Sequence, residues 1–445
     1  MRAFQHVRRE TIKPAEVIVS KRVLLALTRG VEGIAHALLR RQDVELILLY
    51  DRAADALDAA GIPCTRLSSY HTEKRLAAAD ARANSTNALV AGFFRSTVCA
   101  EDFPELPPNV WSSVGDAVQS LGIQTTFQSI ALLDAFESCH QDAPLSLVVV
   151  PQDICRETKA IVLAANQEDI PTVHLLHGFP YGATNMHDDR FADWIAVYSD
   201  RVRQIYLGFG YPPDRIVVTG NPEWDIYMRP FTQAQRVAYA QRLRLNPNFP
   251  IFVYALTYGH SLSAVSVRNR EYMFQTTNAV LKSFAELKAV HPDWQFVLRP
   301  HPNDPDAPTD LISKSLNYGL EDARIDTILP AHGSATLADV MVCSQSNLGI
   351  EALFLGKPVV NVILEEFAGP VVREGMGPLY LPEDGVVEVR ASSDLTNAIG
   401  SAYLDLTLRT SLKDRRTDTI QRFNSYQDGM STARFISLLE TLLGD

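Results

Sequence analysis

Short aliphatic runs, each followed by a helical pattern, recur along this chain and limit its fold more than any other feature. Arg22–Thr28 reads RVLLALT, Val44–Tyr50 reads VELILLY and Leu145–Val150 reads LSLVVV. Thr172–Leu176, Asp193–Tyr198 (DWIAVY) and Arg215–Thr219 (RIVVT) continue the set. These runs are apolar on both faces, and helical patterns such as Gly30–Arg41 and Glu157–Glu168 lie between them. Strands of that kind belong to parallel sheets covered by helices on both sides.

A chain of 445 residues exceeds what one core supports, since single cores rarely grow past about 250–300 residues. The βα series breaks at Tyr227–Pro250, where MRPF, the polar pattern QAQRVAYAQRLR and LNPNFP intervene. It then restarts with a strand at Ile251–Leu256 and a long helix at Arg268–Val290. Strands at Trp294–Leu298, Val340–Cys343 and Pro358–Ile363 follow, with a helix at Leu348–Leu355. Ser392–Gly444 reads as helices. The expected architecture is α/β, with two Rossmann-like doubly wound domains at 1–235 and 236–445, the second carrying the C-terminal helices. Ligands of such sheets bind outside the carboxyl ends of the strands, which puts the site in the interdomain cleft.

Charge and composition narrow the partners. The 41 Lys and Arg against 52 Asp and Glu give a net charge of −11, which argues against a nucleic-acid partner. With 46% apolar and 21% charged residues the chain has ordinary globular composition. Its longest apolar runs are strand-sized, well short of the roughly 18–20 residues that cross a bilayer. The start, MRAFQHVRRETIKP, is basic without an apolar core, so it is no secretory signal. It reads as a solvated tail, with peripheral contact to an anionic inner membrane face as the alternative. Five scattered cysteines without a CxxC pair point to a reduced, cytoplasmic protein and away from a zinc cluster.

Three constellations carry chemistry. His177-Gly178 follows the Thr172–Leu176 strand, where a ring can reach the cleft and act as a general base, or bond a loop carbonyl. His174 lies three residues earlier and reads as a core or supporting histidine. Arg299-Pro300-His301-Pro302-Asn303 follows a strand, with His301 held between prolines and Arg299 offering a fork for phosphate oxygens. The same segment also reads as a rigid surface turn. Ser344-Gln345-Ser346-Asn347 opens a helix, where small hydroxyls and free amides suit either an anion or a plain N-cap. Glu351, one turn in, is placed to accept from a ribose hydroxyl. Thr257 and Tyr258, after the first strand of the second half, face the same cleft. Gly30-Val31-Glu32-Gly33 reads as a tight turn, and Gly220–Asp225 either lines the cleft or shapes the crossover. His187-Asp188-Asp189 reads as a solvated loop, so no metal site is expected. No P-loop, GxGxxG or GxSxG pattern is present in the sequence.

Together, LRPHP and ADVMVCSQSNLGIEALFLGKPVV resemble the nucleotide-binding half of the GT-B glycosyltransferase superfamily. HGFPYG and FADWIAVYSDRVRQIYLGFGYPPDRIVVTGNPEWD resemble the first-domain core of bacterial surface-polysaccharide transferases. The resemblance covers about residues 170–365. CDP-glycerol glycerophosphotransferases of the teichoic-acid type, capsule-type transferases and UDP-N-acetylglucosamine 2-epimerases share this arrangement. It implies a GT-B enzyme with an acceptor half at 1–235 and a donor half at 236–445. It further implies His177 as the catalytic base, and Arg299, His301, Ser344, Ser346 and Asn347 around the donor phosphates. Glu351 would hold the ribose, with Thr257 and Tyr258 nearby. The leading expectation is a metal-independent glycosyltransferase that needs no cofactor. It would move sugar from a nucleotide-sugar donor to a surface-glycan, lipid-linked or protein acceptor, as a monomer or homodimer. The alternatives are a teichoic-acid-like alditol-phosphate transferase, a UDP-sugar 2-epimerase-like enzyme and a non-catalytic sugar-nucleotide sensor.

Overall fold

A computed structural model describes residues 21–27, 30–97, 108–153, 155–176, 191–256, 267–302, 304, 306–344, 346–368 and 385–444. Thirteen strands build two parallel sheets within these residues. The first sheet holds β1 (Lys21–Leu25), β2 (Val44–Leu48), β3 (Thr65–Arg66), β4 (Leu145–Val150), β5 (Thr172–Leu175), β6 (Trp194–Val197) and β7 (Ile216–Val218). Their spatial order is β3-β2-β1-β4-β5-β6-β7. The second holds β8 (Ile251–Ala255), β9 (Gln295–Arg299), β10 (Arg324–Ile325), β11 (Val340–Cys343), β12 (Val359–Val362) and β13 (Val387–Val389). Their order is β10-β9-β8-β11-β12-β13. Each sheet reverses its winding once, between β1 and β4 in the first and between β8 and β11 in the second. The carboxyl ends at these switch points are where a doubly wound sheet receives ligands.

The doubly wound expectation therefore holds for both halves. β3 and β10, two residues each, are too short to show a period, and β13 is only three. Residues between β3 and β4 form two long helices, Glu73–Thr97 and Pro108–Asp142, which pack against each other. Alanine, serine and asparagine dominate the first of them, so no apolar stripe announces it.

Alternation along the strands assigns the two faces of the second sheet. Val340 and Val342 join Val360 and Val362 in the core under helices Val267–Val290 and Ser392–Leu404. Met341, Cys343 and Val359 face the opposite core, which continues into the first sheet through Val197, Trp224 and Tyr227. The two halves thus share one apolar junction. The Trp224 and Tyr227 rings meet Phe354 at 5.4 and 5.9 Å.

The sequence order assigns all C-terminal helices to the second half, and the final helix departs from that. Phe435, Ile436, Leu438 and Leu439 of helix Ser431–Leu442 are buried with β1, β2 and helix Val31–Leu38 of the first sheet. The strap that brings this helix back is hydrogen-bonded throughout. Ser199 Oγ donates to Arg422 O at 2.7 Å, and Ser425 N donates to Tyr198 O at 3.1 Å. Asn221 N donates to Asn424 Oδ1 at 2.9 Å. Asp225 then caps the incoming helix, accepting from Ser431 N at 2.9 Å and Thr432 N at 2.7 Å. Gly220, at φ +79, leaves room for this strap, since a Cβ there would lie 2.4 Å from Ser431 Oγ. The Gly220–Asp225 segment therefore anchors the return of the chain.

Candidate functional site

The register of the second sheet sets five residues in one row across its carboxyl end. Arg299 lies beside Ala255, Ala255 beside Cys343, Cys343 beside Asn361, and Asn361 beside Glu388. Arg299 and Cys343 are thus two strands apart, about 10 Å between backbones. Three of the predicted elements meet here: the Arg299 loop, the Ser344–Asn347 turn and the start of helix Asn347–Phe354.

Arg299 is locked by its own domain. Nη1 donates to Asp326 Oδ2 at 2.8 Å, Leu329 O at 2.9 Å and Ser334 Oγ at 2.7 Å. The Asp326 side chain is fully buried, and its Oδ1 accepts from the amides of Ile328 and Leu329. One edge of the guanidinium is spent on this lock, and the remaining two nitrogens make no hydrogen bond among the described residues. His332, on the same short helix as Ser334, has its pKa lowered by burial and then by the charge of Arg299. Its ring sits among Phe231 and Tyr239. The sequence reading passed over Asp326, Ser334 and His332. Only the run ARIDTILPAHGS, polar residues in a predicted crossover, could have flagged them.

Ser346 caps helix Asn347–Phe354, accepting from Leu348 N at 3.3 Å. Ser344 is buried beside it, and the neighbouring Cys343 thiol is pushed up to about 12 by burial. Among the described residues Asn347 Oδ1 is buried without a hydrogen-bond partner, as are both amide atoms of Asn361 in the row below. Unsatisfied buried amides are costly and accumulate where a ligand or water completes them. His301 is half-buried at the turn, where its carbonyl accepts from Asp304 N at 3.0 Å.

Glu351 sits deeper than the sequence reading places it. It is 3% exposed, and the hydroxyl of Tyr227 donates to its Oε2 across the junction between the halves. Tyr227 belongs to the 3₁₀ segment Pro222–Met228 that leaves the first sheet. One Glu351 oxygen is therefore already engaged by the protein.

On the first sheet, the expected base His177 lies outside the described residues, as do Thr257, Tyr258 and His187–Asp189. The two feet of the segment carrying His177 are well held. Tyr198 Oη donates to Leu176 O at 2.6 Å at one end. At the other, Asp153 Oδ2 accepts from Phe191 N at 2.9 Å and Ala192 N at 3.0 Å. Asp153 Oδ1 lies 3.8 Å from Nδ1 of the buried His174. Asp153 ends the PQD that follows β4, at the switch point of the first sheet, and was missed because no motif surrounds it. Gly30, at φ +64, turns the neighbouring loop, and a Cβ there would meet Glu223 Cγ at 2.9 Å. It shapes a close approach, as a tight turn does. No group of three His, Cys, Asp or Glu is arranged to hold a metal among the described residues. No described helix is long and apolar enough to cross a membrane.

With this geometry in hand, solved structures supply the frame. The chain has the GT-B fold. A UDP-GlcNAc 2-epimerase from Neisseria meningitidis, bound to UDP-GlcNAc, is 12% identical. It matches over 95% of this chain and 99% of its own, with TM-score 0.56. The MnaA–UDP structure from S. aureus matches over 95% and 97%, at 13% identity and TM-score 0.59. HepE from Anabaena, in complex with UDP and glucose, matches over 96% and 100%, at 15% identity and TM-score 0.55. No protein-family model and no curated protein sequence matches the chain. These likenesses correct the leading functional expectation. UDP-GlcNAc 2-epimerases recur among the end-to-end matches. The glycosyltransferase reading gives way to the epimerase-like alternative, and the likeness to CDP-glycerol transferases is not supported.

Proposed function

We propose that the chain is a UDP-sugar 2-epimerase-like enzyme that binds its nucleotide sugar between the two sheets. The observation that carries this reading is the end-to-end likeness to UDP-GlcNAc 2-epimerases, over 95–96% of the chain, rather than to one domain alone. The row at the carboxyl end of the second sheet supports it locally. The open edge of Arg299 and the amides at the start of helix Asn347–Phe354 suit a diphosphate, with His301, Ser344 and Ser346 around them. The orphaned Asn347 amide oxygen gains a donor from the ligand. Glu351, on the same helix and positioned by Tyr227, is the group proposed to meet the ribose.

The chemistry needs no external oxidant. A C2–H bond with no adjacent carbonyl becomes labile when the C1 substituent can leave. A base removes the C2 proton, the C–H electron pair becomes a C1=C2 bond, and UDP departs with the C1–O pair. UDP then re-adds at C1, with a proton delivered to the opposite face of C2. Arg299 and the helix start neutralise the leaving diphosphate. His177 and Asp153, from the first sheet, are the groups proposed to carry the protons. Closure of the halves keeps water from the unsaturated intermediate.

The test is incubation with UDP-GlcNAc alone, without acceptor, followed by anion-exchange separation. Conversion to the C2-epimeric UDP-sugar supports the reading. An unchanged substrate across UDP-linked hexosamines and hexoses overturns it. In parallel, Arg299→Gln and Ser346→Ala should weaken UDP binding in calorimetry. Unchanged affinity in both would move the nucleotide elsewhere.

A further inference from the structure

At the opposite, amino end of the second sheet lies a cavity of about 250 Å³. It opens where Lys357-Pro358 leads into β12 and Gly385 leads towards β13. Its outer wall is helix Leu406–Phe423, which presents Arg409, Lys413 and Arg416 at i, i+4 and i+7, one face of a helix. Lys357 also borders it, but its Nζ donates to Thr336 O at 3.1 Å, and among the described residues no Asp or Glu contributes to the lining. Arg409 keeps one contact of its own, donating to Tyr403 O at 3.3 Å, so three cations of one helix face border the cavity in a chain whose net charge is −11.

Arg416 is the informative residue. It is half-buried, burial alone lowers its pKa, and it makes no ion pair or hydrogen bond among the described residues. A partly buried guanidinium with no partner is a cost that an anion removes. The backbone is shaped around it. Gly356 is at φ +76, and a Cβ there would lie 2.9 Å from Arg416 Nη1. The carbonyls at the end of helix Asn347–Phe354 do not require Arg416, because Leu353 O accepts from Gly356 N and Ala352 O from Lys357 N.

We propose that Arg409, Lys413 and Arg416 form a second anion site, for the phosphate group of a small phosphorylated ligand. Guanidinium forks bind phosphate oxygens bidentately, and the cavity exceeds the size of a diphosphate. The site is separate from the nucleotide row. Helix Asn347–Phe354 runs between them, about 12 Å long, with Ser346 at one end and Gly356 past the other. Occupancy of one end can therefore bias the other through a rigid element.

Arginine labelling with phenylglyoxal on the full chain, read by peptide mass spectrometry, tests this. Inorganic pyrophosphate should slow labelling of Arg416 and Arg409 by about tenfold at saturation, a protection expected of charge-assisted contacts. Lys413→Gln should raise the pyrophosphate concentration needed, and Gly356→Ala, by displacing Arg416, should abolish protection. Protection by phosphatidylglycerol vesicles alone, with none by pyrophosphate or by phosphatidylcholine vesicles, would assign the phosphate to a lipid headgroup. Labelling unchanged by both pyrophosphate and vesicles overturns the site. A melting temperature that falls in Arg416→Gln without phosphate, with no gain for the wild type on adding pyrophosphate, also overturns it.

Discussion

The Tyr227 hydroxyl donates to the carboxylate of Glu351, joining the segment that leaves the first sheet to the helix that opens the proposed nucleotide site. The same ring stacks on Phe354, three residues further along that helix. One residue thus fixes both the polar and the apolar side of the junction. Tyr227→Phe keeps the ring contacts and removes only the donor to a buried carboxylate. It should cost about 1–3 kcal/mol in urea unfolding, and should weaken UDP binding. Stability and UDP affinity both equal to wild type would show that Glu351 does not depend on Tyr227.

Arg299 and Asp326 form a pair whose acidic side chain is wholly buried. Arg299→Met should cost about 3–5 kcal/mol, because it strands that carboxylate. Arg299→Met with Asp326→Asn should recover most of the loss, while UDP binding stays weak. Recovery of both properties would assign Arg299 a purely structural role.

His332 reports on the same charge. Burial and Arg299 hold its pKa below the usual histidine value. Replacing Arg299 in the folded double variant should raise the titration midpoint of the His332 ring protons in NMR. A group with a lowered folded pKa destabilises the fold as pH falls from its unfolded value to its folded one, so bringing the two values together should lessen the acid destabilisation from His332. An unmoved midpoint would separate the two side chains electrically.

Asp225, in the segment that leaves the first sheet, caps the final helix. Asp225→Ala should cost about 1–2 kcal/mol, as loss of an N-cap does. Hydrogen exchange should speed up in residues 431–442 before the rest of the first sheet. Uniform exchange throughout would mean that the helix is held by its apolar face alone.

The strands that bury both faces were legible because a continuous aliphatic run at strand length has few other readings, as at Val44–Leu48 and Val340–Cys343. Ser346 as a helix cap was legible for the same local reason. What depends on distant chain was not. The lock on Arg299 comes from Asp326 and Ser334, 27 and 35 residues away. The partner of Glu351 comes from 124 residues away. The return of helix Ser431–Leu442 to the first sheet follows from a capping carboxylate 206 residues earlier. The transferase expectation failed because a phosphate-binding row is common to enzymes that move a sugar and enzymes that invert one of its carbons. The row alone does not say which bond at the sugar is remade.

In the proposed reaction the C2–H bond of a UDP-sugar breaks and re-forms in this cleft. That step is tested most directly by proton NMR of UDP-GlcNAc incubated with the full chain in deuterium oxide. The expected result is loss of the C2 proton signal, with deuterium at C2 in both the substrate and its C2 epimer. Retention of that signal, or release of UDP only when an acceptor is supplied, would contradict it.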